Sequence, residues 1–346
     1  MENKTETEKR KSDHIKLCLH DERVDVNSTG WEDVTLVHQA LPDVDFKKID
    51  TTTSFLGKKI SLPLMIDGMT GGTTEAKEIN RGLAEAAEKF DLIIGVGSQR
   101  AMIEKPELLD TYYIRDLAPK SVILGNIGIS HVKKYSPQKI EKALKDIGAD
   151  GLAVHINPAQ EIFQVGGDTE FENASKALKN LCETLSYPVI GKEVGNGISR
   201  ESALLLKDCG VKAIDVGGFG GTNFLIIDAI RGGLDYSSFS DWGIKTPVSI
   251  LESKVGLPII ATGGVRSGLD IAKSLSLGAD VAGMASPFLK VFSSERKSGV
   301  ENMINKISHE LKVAMFLSGA KNIEQLKKVK HVLTGRTLEW KTQRGL

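Results

Sequence analysis

The chain has 346 residues, 40% of them hydrophobic, and 35 glycines. That is enough for a large core with many tight loops, within the range of one α/β barrel plus extensions. Lys plus Arg and Asp plus Glu number 45 each, which disfavours nucleic acid or a membrane surface as partner, so an anionic ligand has to be held by a local cluster. No long apolar run or signal-peptide pattern opens the sequence, and Cys18, Cys182 and Cys209 lack metal-ligand spacing; both predict reduced thiols in the cytoplasm.

In chain order, residues 1–13, MENKTETEKRKSD, read as a polar, mobile start to an N-terminal extension over 1–61. From residue 62, short β-rich runs alternate with helical patterns. The strands expected are 62–67, 92–98, 121–128, 151–157, 188–194, 213–218, 258–264 and 281–284. Between them lie helices such as 74–90, where Ile79, Leu83, Ala87 and Phe90 share one face, 172–185 and 267–277. The segments IGAD and LGAD precede the fourth and eighth strands, as expected where a helix stops at Gly and re-enters a sheet. Eight strand–helix units predict a (β/α)8 TIM barrel over 62–346 with C-terminal helices. A doubly wound open sheet is the alternative, disfavoured because no full G-x-G-x-x-G follows an early strand. Residues 223–257 form an insertion between strands six and seven, read as helical material with a loop over the site.

The chemistry of such a barrel collects at the C-terminal strand ends. Here those ends carry Asp67 with GMTGG, Ser98 with Gln99 and Arg100, Asn126, His155 with Asn157, Lys192, GGFGGTN, TGGVRSG and GMASP. Along the fourth strand, Leu152, Val154 and Ile156 share one face, so Ala153, His155 and Asn157 share the other and turn to the barrel mouth. Pro158 then breaks the strand and places Gln160 and Glu161 in the loop above. A bland alternative makes His155 a buried hydrogen-bonding group and Glu161 a solvated charge. Gly263, Gly264, Arg266 and Ser267 lead into one helix, and VAGMASPF leads into another with Pro287 in its first turn. Backbone N–H groups there predict a phosphate cradle. Lys192 either faces an anionic ligand or pairs with a neighbouring carboxylate.

RKSDHI (10–15), MTGG (69–72), GVGSQR (95–100), NIG (126–128), HINPAQE (155–161), GKEVGNG (191–197), DVGGFGGTNF (215–224) and TGGVRSG (262–268) together resemble the type 2, flavin-dependent isopentenyl-diphosphate isomerases. The resemblance runs through the whole chain. It departs at Asp67 or Gly68, where family members often carry Ser or an Ala-type residue, and at Gly217, where Ser is common. It implies FMN held by Gly68, Met69, Thr70, Ser98, Asn126, Lys192, Gly217, Thr222, Gly263, Gly264, Val265, Arg266, Met284 and Ala285. It implies a small-molecule diphosphate contacted by Arg10, Lys11, His14, Ser98, Gln99, Arg100, His155, Asn157 and Gln160, with Mg²⁺ on Glu161. Gln160 and His155 stand as the catalytic candidates, NADPH as the source of electrons for FMN, and a homotetramer or larger homo-oligomer as the assembly.

Moving a double bond along an isoprenyl chain adds one proton and removes another, with no net redox change. Gln160 cannot titrate, and Glu161 is occupied if it ligates Mg²⁺. The expectation is therefore that reduced flavin carries the proton chemistry, while the protein supplies position, desolvation and charge. Two rivals are weaker. A 2-hydroxy-acid oxidase or nucleotide dehydrogenase needs a late His with a nearby Arg, or a Cys after strand six; GGFGGTN holds neither a His nor a Cys, and GGVRSG no His. A non-catalytic phosphate sensor has no reason to keep Gln160 beside Glu161.

Overall fold

A computed structural model describes residues 6–25 and 28–346. Eight parallel strands close into a barrel in sequential order: β1 (Leu64–Ile66), β2 (Ile93–Gly95), β3 (Val122–Gly128), β4 (Gly151–His155), β5 (Val189–Lys192), β6 (Ala213–Asp215), β7 (Ile259–Ala261) and β8 (Val281–Met284). β8 returns to β1, with Ala282 opposite Leu64. Every expected strand is present; the eighth has the expected bounds and the other seven lose one or more residues at their ends. The expected helices form over Thr74–Lys89, Ala174–Thr184 and Gly268–Leu277. The stops in IGAD and LGAD are Gly148 at φ +64° and Gly278 at φ +117°, left-handed positions that suit glycine.

The alternation along β4 holds: Leu152 and Val154 join the apolar layer between strands and helices. Inside the barrel lies a second cluster, built from Met65, Ile93, Val122, Leu124, Ile190, Ala213, Ile260 and Val281. Its bottom is plugged by the antiparallel hairpin Thr53–Phe55/Lys58–Ile60, whose Phe55 and Ile60 complete the cluster. The two turn residues, Leu56 at φ +48° and Gly57 at φ +78°, make the tight turn that matches strand twist. With the bottom filled, ligand access is left to the C-terminal face.

The N-terminal extension is not a loose appendage. Trp31, Val34 and Ile49 are buried in the same core as the barrel helices, and Val34–Leu36 pairs with His331–Leu333. The start expected to be mobile is instead helical from Glu6 to His20, and residues 1–5 lie outside the described part. Ile15 and Cys18 anchor that helix in the core, which holds Lys11 and His14 over the barrel mouth. A second correction concerns Gln160 and Glu161: they sit in a short helix, Pro158–Phe163, rather than a loop. Proline at the first helical position has the φ a helix needs, so Pro158, three residues past the end of β4, starts the next helix.

Candidate active site

A cavity of about 340 Å³ opens at the C-terminal ends of the strands. Gly68, Met69, Thr70, Lys192, Gly217, Thr222, Gly263, Gly264, Val265, Arg266, Met284 and Ala285 all line it; Ser98 and Asn126 do not. Gly263 and Gly264 take φ +104° and +70°, and a Cβ on them would fall 2.0 and 2.4 Å from the Gly218 and Gly220 carbonyl oxygens. Only glycine lets these backbones approach so closely. Gly217, at φ +45°, is as tight: a Cβ there would meet the Glu193 carbonyl at 2.1 Å, so serine does not fit this backbone.

Two buried hydroxyls on the cavity wall, Thr70 Oγ1 and Ser286 Oγ, have no partner among the described residues. Ser286 opens the helical segment Ser286–Leu317, with Pro287 in its first turn. An unpaired hydroxyl at a helix N-terminus beside a glycine cradle is a ready anion site. Orphaned donors, glycine backbone and a deep concave wall together fit a phosphorylated ring such as FMN.

Lys192 takes the alternative left open by the sequence. Its ammonium donates to Asp67 and Asp215, both at 2.7 Å. Burial opposes its charge, but the two carboxylates win and hold its pKa above the ordinary lysine value. Glu193, next in sequence, accepts backbone N–H bonds from residues 194–197 at 2.5–3.0 Å. Burial nevertheless pushes its pKa up to about 7.

At the rim, the N-terminal helix brings Lys11 to the Ser98 carbonyl (3.2 Å) and the Tyr112 hydroxyl (2.5 Å). Burial, then Arg10 and Arg100, press the Lys11 pKa down to about 7. Arg10 is lowered in the same way, with Asp228 and Glu161 only partly opposing. Among the described residues neither Arg10 nor Lys11 has an ion-pair partner; Arg100 is held by Glu104 at 2.9 Å. Arg10 and Lys11, buried beside each other and beside Arg100 at a cost to their own charge, mark a place for an anion.

HINPAQE forms a connected network. Asn157 Nδ2 donates to Gln160 Oε1 and Glu161 Oε1, both at 2.9 Å. Gln160 Nε2 donates to Asp228 Oδ2 at 2.7 Å. Asp228 is fully buried and also meets His14 at 3.0 Å and Arg231 at 2.6 Å. Burial works against its charge, yet these hydrogen bonds keep its pKa below the usual carboxylate range. The second Glu161 oxygen accepts from Gln164 (3.2 Å) and the Asp168 N–H (2.8 Å). No group of three metal-ligating side chains occurs among the described residues. A lone carboxylate fits Mg²⁺ held mainly by phosphate and water.

His155 Nδ1 lies 2.8 Å from Asn126 Oδ1, so the carbonyl oxygen fixes the Nδ1–H tautomer. Burial, then His131, Lys192, Arg10 and Lys11, push its pKa down to about 3, which leaves a neutral ring with a free Nε2. Gln99 does not reach the mouth. Its Nε2 donates to the Ala143 carbonyl at 3.0 Å, and its Oε1 accepts the Asn126 N–H at 3.1 Å. It is wall rather than ligand contact, because a Cβ at Gly125 would fall 2.5 Å from its Oε1 and the glycine leaves room for it.

Asp228, Asp215, Ser286 and Tyr112 were not singled out from sequence. Asp228 did leave a signal, as the one carboxylate in the apolar helix Phe224–Gly232. Asp215 and Ser286 lie within DVGGFGGTNF and VAGMASPF, segments read for their glycines and helix start, and Tyr112 sits in unremarkable local sequence.

The sequence matches the FMN-dependent dehydrogenase family over residues 4–105 and 133–333. Curated relatives named isopentenyl-diphosphate delta-isomerase include one from Archaeoglobus fulgidus, 46% identical, covering 98% of this chain and 99% of the relative. The Pyrococcus furiosus protein is 44% identical over 99% and 91%, and the Metallosphaera sedula protein 41% over 97% and 95%. Among solved structures, a mandelate oxidase with (S)-2-phenylpropionate superposes with TM-score 0.66 at 16% identity, over 94% of this chain and 97% of the other. A Pediococcus acidilactici lactate oxidase gives TM-score 0.64 at 18% identity, over 91% and 88%. At such identity these two share the fold alone. A cradle fit for FMN and near-full-length identity to the curated relatives lead to one assignment: the chain belongs to the type 2, FMN-dependent isopentenyl-diphosphate delta-isomerases.

Proposed function

We propose that the protein interconverts isopentenyl diphosphate and dimethylallyl diphosphate, with FMN reduced by NADPH and with Mg²⁺ on the diphosphate. The observation that carries this reading is the cation cluster Arg10, Lys11 and Arg100 at the rim of the cavity, where the first two lack an ion-pair partner among the described residues. Reduced FMN, when bound, supplies a group that gives and takes a proton without a titratable side chain at the reacting carbon.

The chain's own residues do the rest. Arg10, Lys11 and Arg100 bind the diphosphate, whose charge reverses the mutual depression and recharges Lys11. Neutral His155 accepts at Nε2 from a protonated phosphate oxygen, or gains a proton when the dianion arrives. Gln160 is held at both ends, by Asp228 and Asn157, so its amide is fixed against the substrate chain or a water. Glu161 holds Mg²⁺, and the N-terminal helix over the mouth excludes water and strengthens each charge contact. A homotetramer or larger assembly in the cytoplasm belongs to the same reading. Exposed Ile162 (63%), Val165 (66%) and Trp242 (62%) support the assembly.

The test is an FMN titration followed by absorption, then incubation of the reduced holoenzyme with isopentenyl diphosphate and Mg²⁺. Dimethylallyl diphosphate is the expected product; no flavin binding under any condition removes the reading. Arg10→Ala and Lys11→Ala are each expected to lower kcat/KM about tenfold or more, since a charge-assisted phosphate contact contributes ~1.5–3 kcal/mol. FMN content should not change. Wild-type kinetics in a chain lacking residues 1–13 would show the segment to be irrelevant.

A further inference from the structure

We propose that Asp67 makes the floor of the cavity net negative and thereby disfavours reduced relative to oxidised FMN. This rests on the flavin reading above. The barrel interior holds one ammonium, Lys192, between two carboxylates, with side-chain exposures of 7% for Lys192, 12% for Asp67 and 2% for Asp215. One ammonium matches one carboxylate, so the second leaves a single excess negative charge.

Both acids accept further hydrogen bonds besides those from Lys192. Asp67 Oδ1 accepts the Gly68 N–H at 2.8 Å. Asp215 Oδ1 accepts the Thr262 hydroxyl and, at 3.3 Å, the Gly217 N–H. Burial, opposed by Lys192 and reinforced by Asp67, moves the Asp215 pKa up to about 6, as expected where two acids share one ammonium. Of the two, only Asp67 lines the main cavity; Asp215 touches the small void beneath it. The wall also carries Lys11 and Arg266, which meet only carbonyl and hydroxyl oxygens among the described residues and stand apart from the Lys192–Asp67–Asp215 cluster. Asp25 pairs with Lys290 at 2.6 Å, and Glu193 is held by backbone N–H groups.

Charge near a flavin tunes its electronics. A lone Lys192–Asp215 pair would be neutral as a pair, with its cation facing the cavity. Asp67 claims that cation. Two-electron reduction with two protons gives a neutral ring, and with one proton an anionic ring. A negative floor opposes the electrons and penalises the anionic product most.

Anaerobic potentiometry of the FMN holoenzyme, with dithionite as reductant, tests this on wild type, Asp67→Asn and Asp67→Ala. Both variants should show a more positive midpoint potential than wild type. The expected change is about tenfold or more in the ratio of reduced to oxidised FMN affinity, which is about 30 mV for a two-electron couple. The wild-type potential should lie below that of free FMN in the same buffer. An unchanged or lower potential in FMN-loaded variants overturns the inference. A wild-type potential above that of free FMN also overturns it and needs no variant to fold. A wild type that binds no FMN defeats the flavin reading itself, a result distinct from both.

Discussion

Gln160→Ala is expected to lower kcat on the order of 10²-fold, with the Mg²⁺ dependence of the rate near wild type, because misplacing a reacting group carries a penalty of that size and added metal does not restore geometry. The amide is clamped between Asn157 at 2.9 Å and Asp228 at 2.7 Å, so its removal also frees a buried carboxylate. Glu161→Gln should behave in the opposite way. The side chain keeps its shape and its Asn157 contact partner, but it loses the charge that a hard cation requires. Its rate should therefore need much more Mg²⁺ and recover in part when Mg²⁺ is in excess. FMN content should be unchanged in both, since neither residue lines the cavity that fits the flavin. A Mg²⁺ titration of rate for the two variants beside wild type separates the roles. An unshifted curve for Glu161→Gln, or rescue of Gln160→Ala by metal, would show the division to be wrong.

Isomerisation should also be gated by redox state although no electrons are consumed. With oxidised FMN the rate should be negligible, and it should appear on anaerobic reduction by NADPH or dithionite. The physical reason lies in the side chains at the mouth. Gln160 does not titrate, Glu161 already accepts three hydrogen bonds, and Asp228 is engaged by His14, Arg231 and Gln160. His155 is held neutral, its pKa pushed down to about 3 first by burial. None of these four is left free to act as a paired acid and base near neutral pH, and Glu193, with its pKa at about 7, is occupied by four backbone N–H groups. Equal rates in the two redox states would transfer the proton chemistry back to one of these groups.

The sequence by itself determined the barrel, because strand and helix periods are local: apolar residues every second position, helices that stop at Gly148 and Gly278, and Pro287 in the first turn of a helix. It also placed His155 on the face of β4 opposite Leu152 and Val154, since alternation on one strand needs no knowledge of its neighbours. Tertiary structure alone decided which of the polar residues near the mouth touch. Asp228 reaches Gln160 from 68 positions away, and Lys192 is claimed by acids from β6 and the end of β1. Ser98 and Asn126 fall outside the main cavity, and Gln99 turns into the wall although its neighbours Ser98 and Arg100 lie by the rim. Side-chain direction at a strand end depends on the loop geometry and on the room a facing residue such as Gly125 leaves. Charge behaves likewise: Lys11 and Arg10 are ordinary cations in a polar segment until burial beside Arg100 makes them costly to keep charged without an anion.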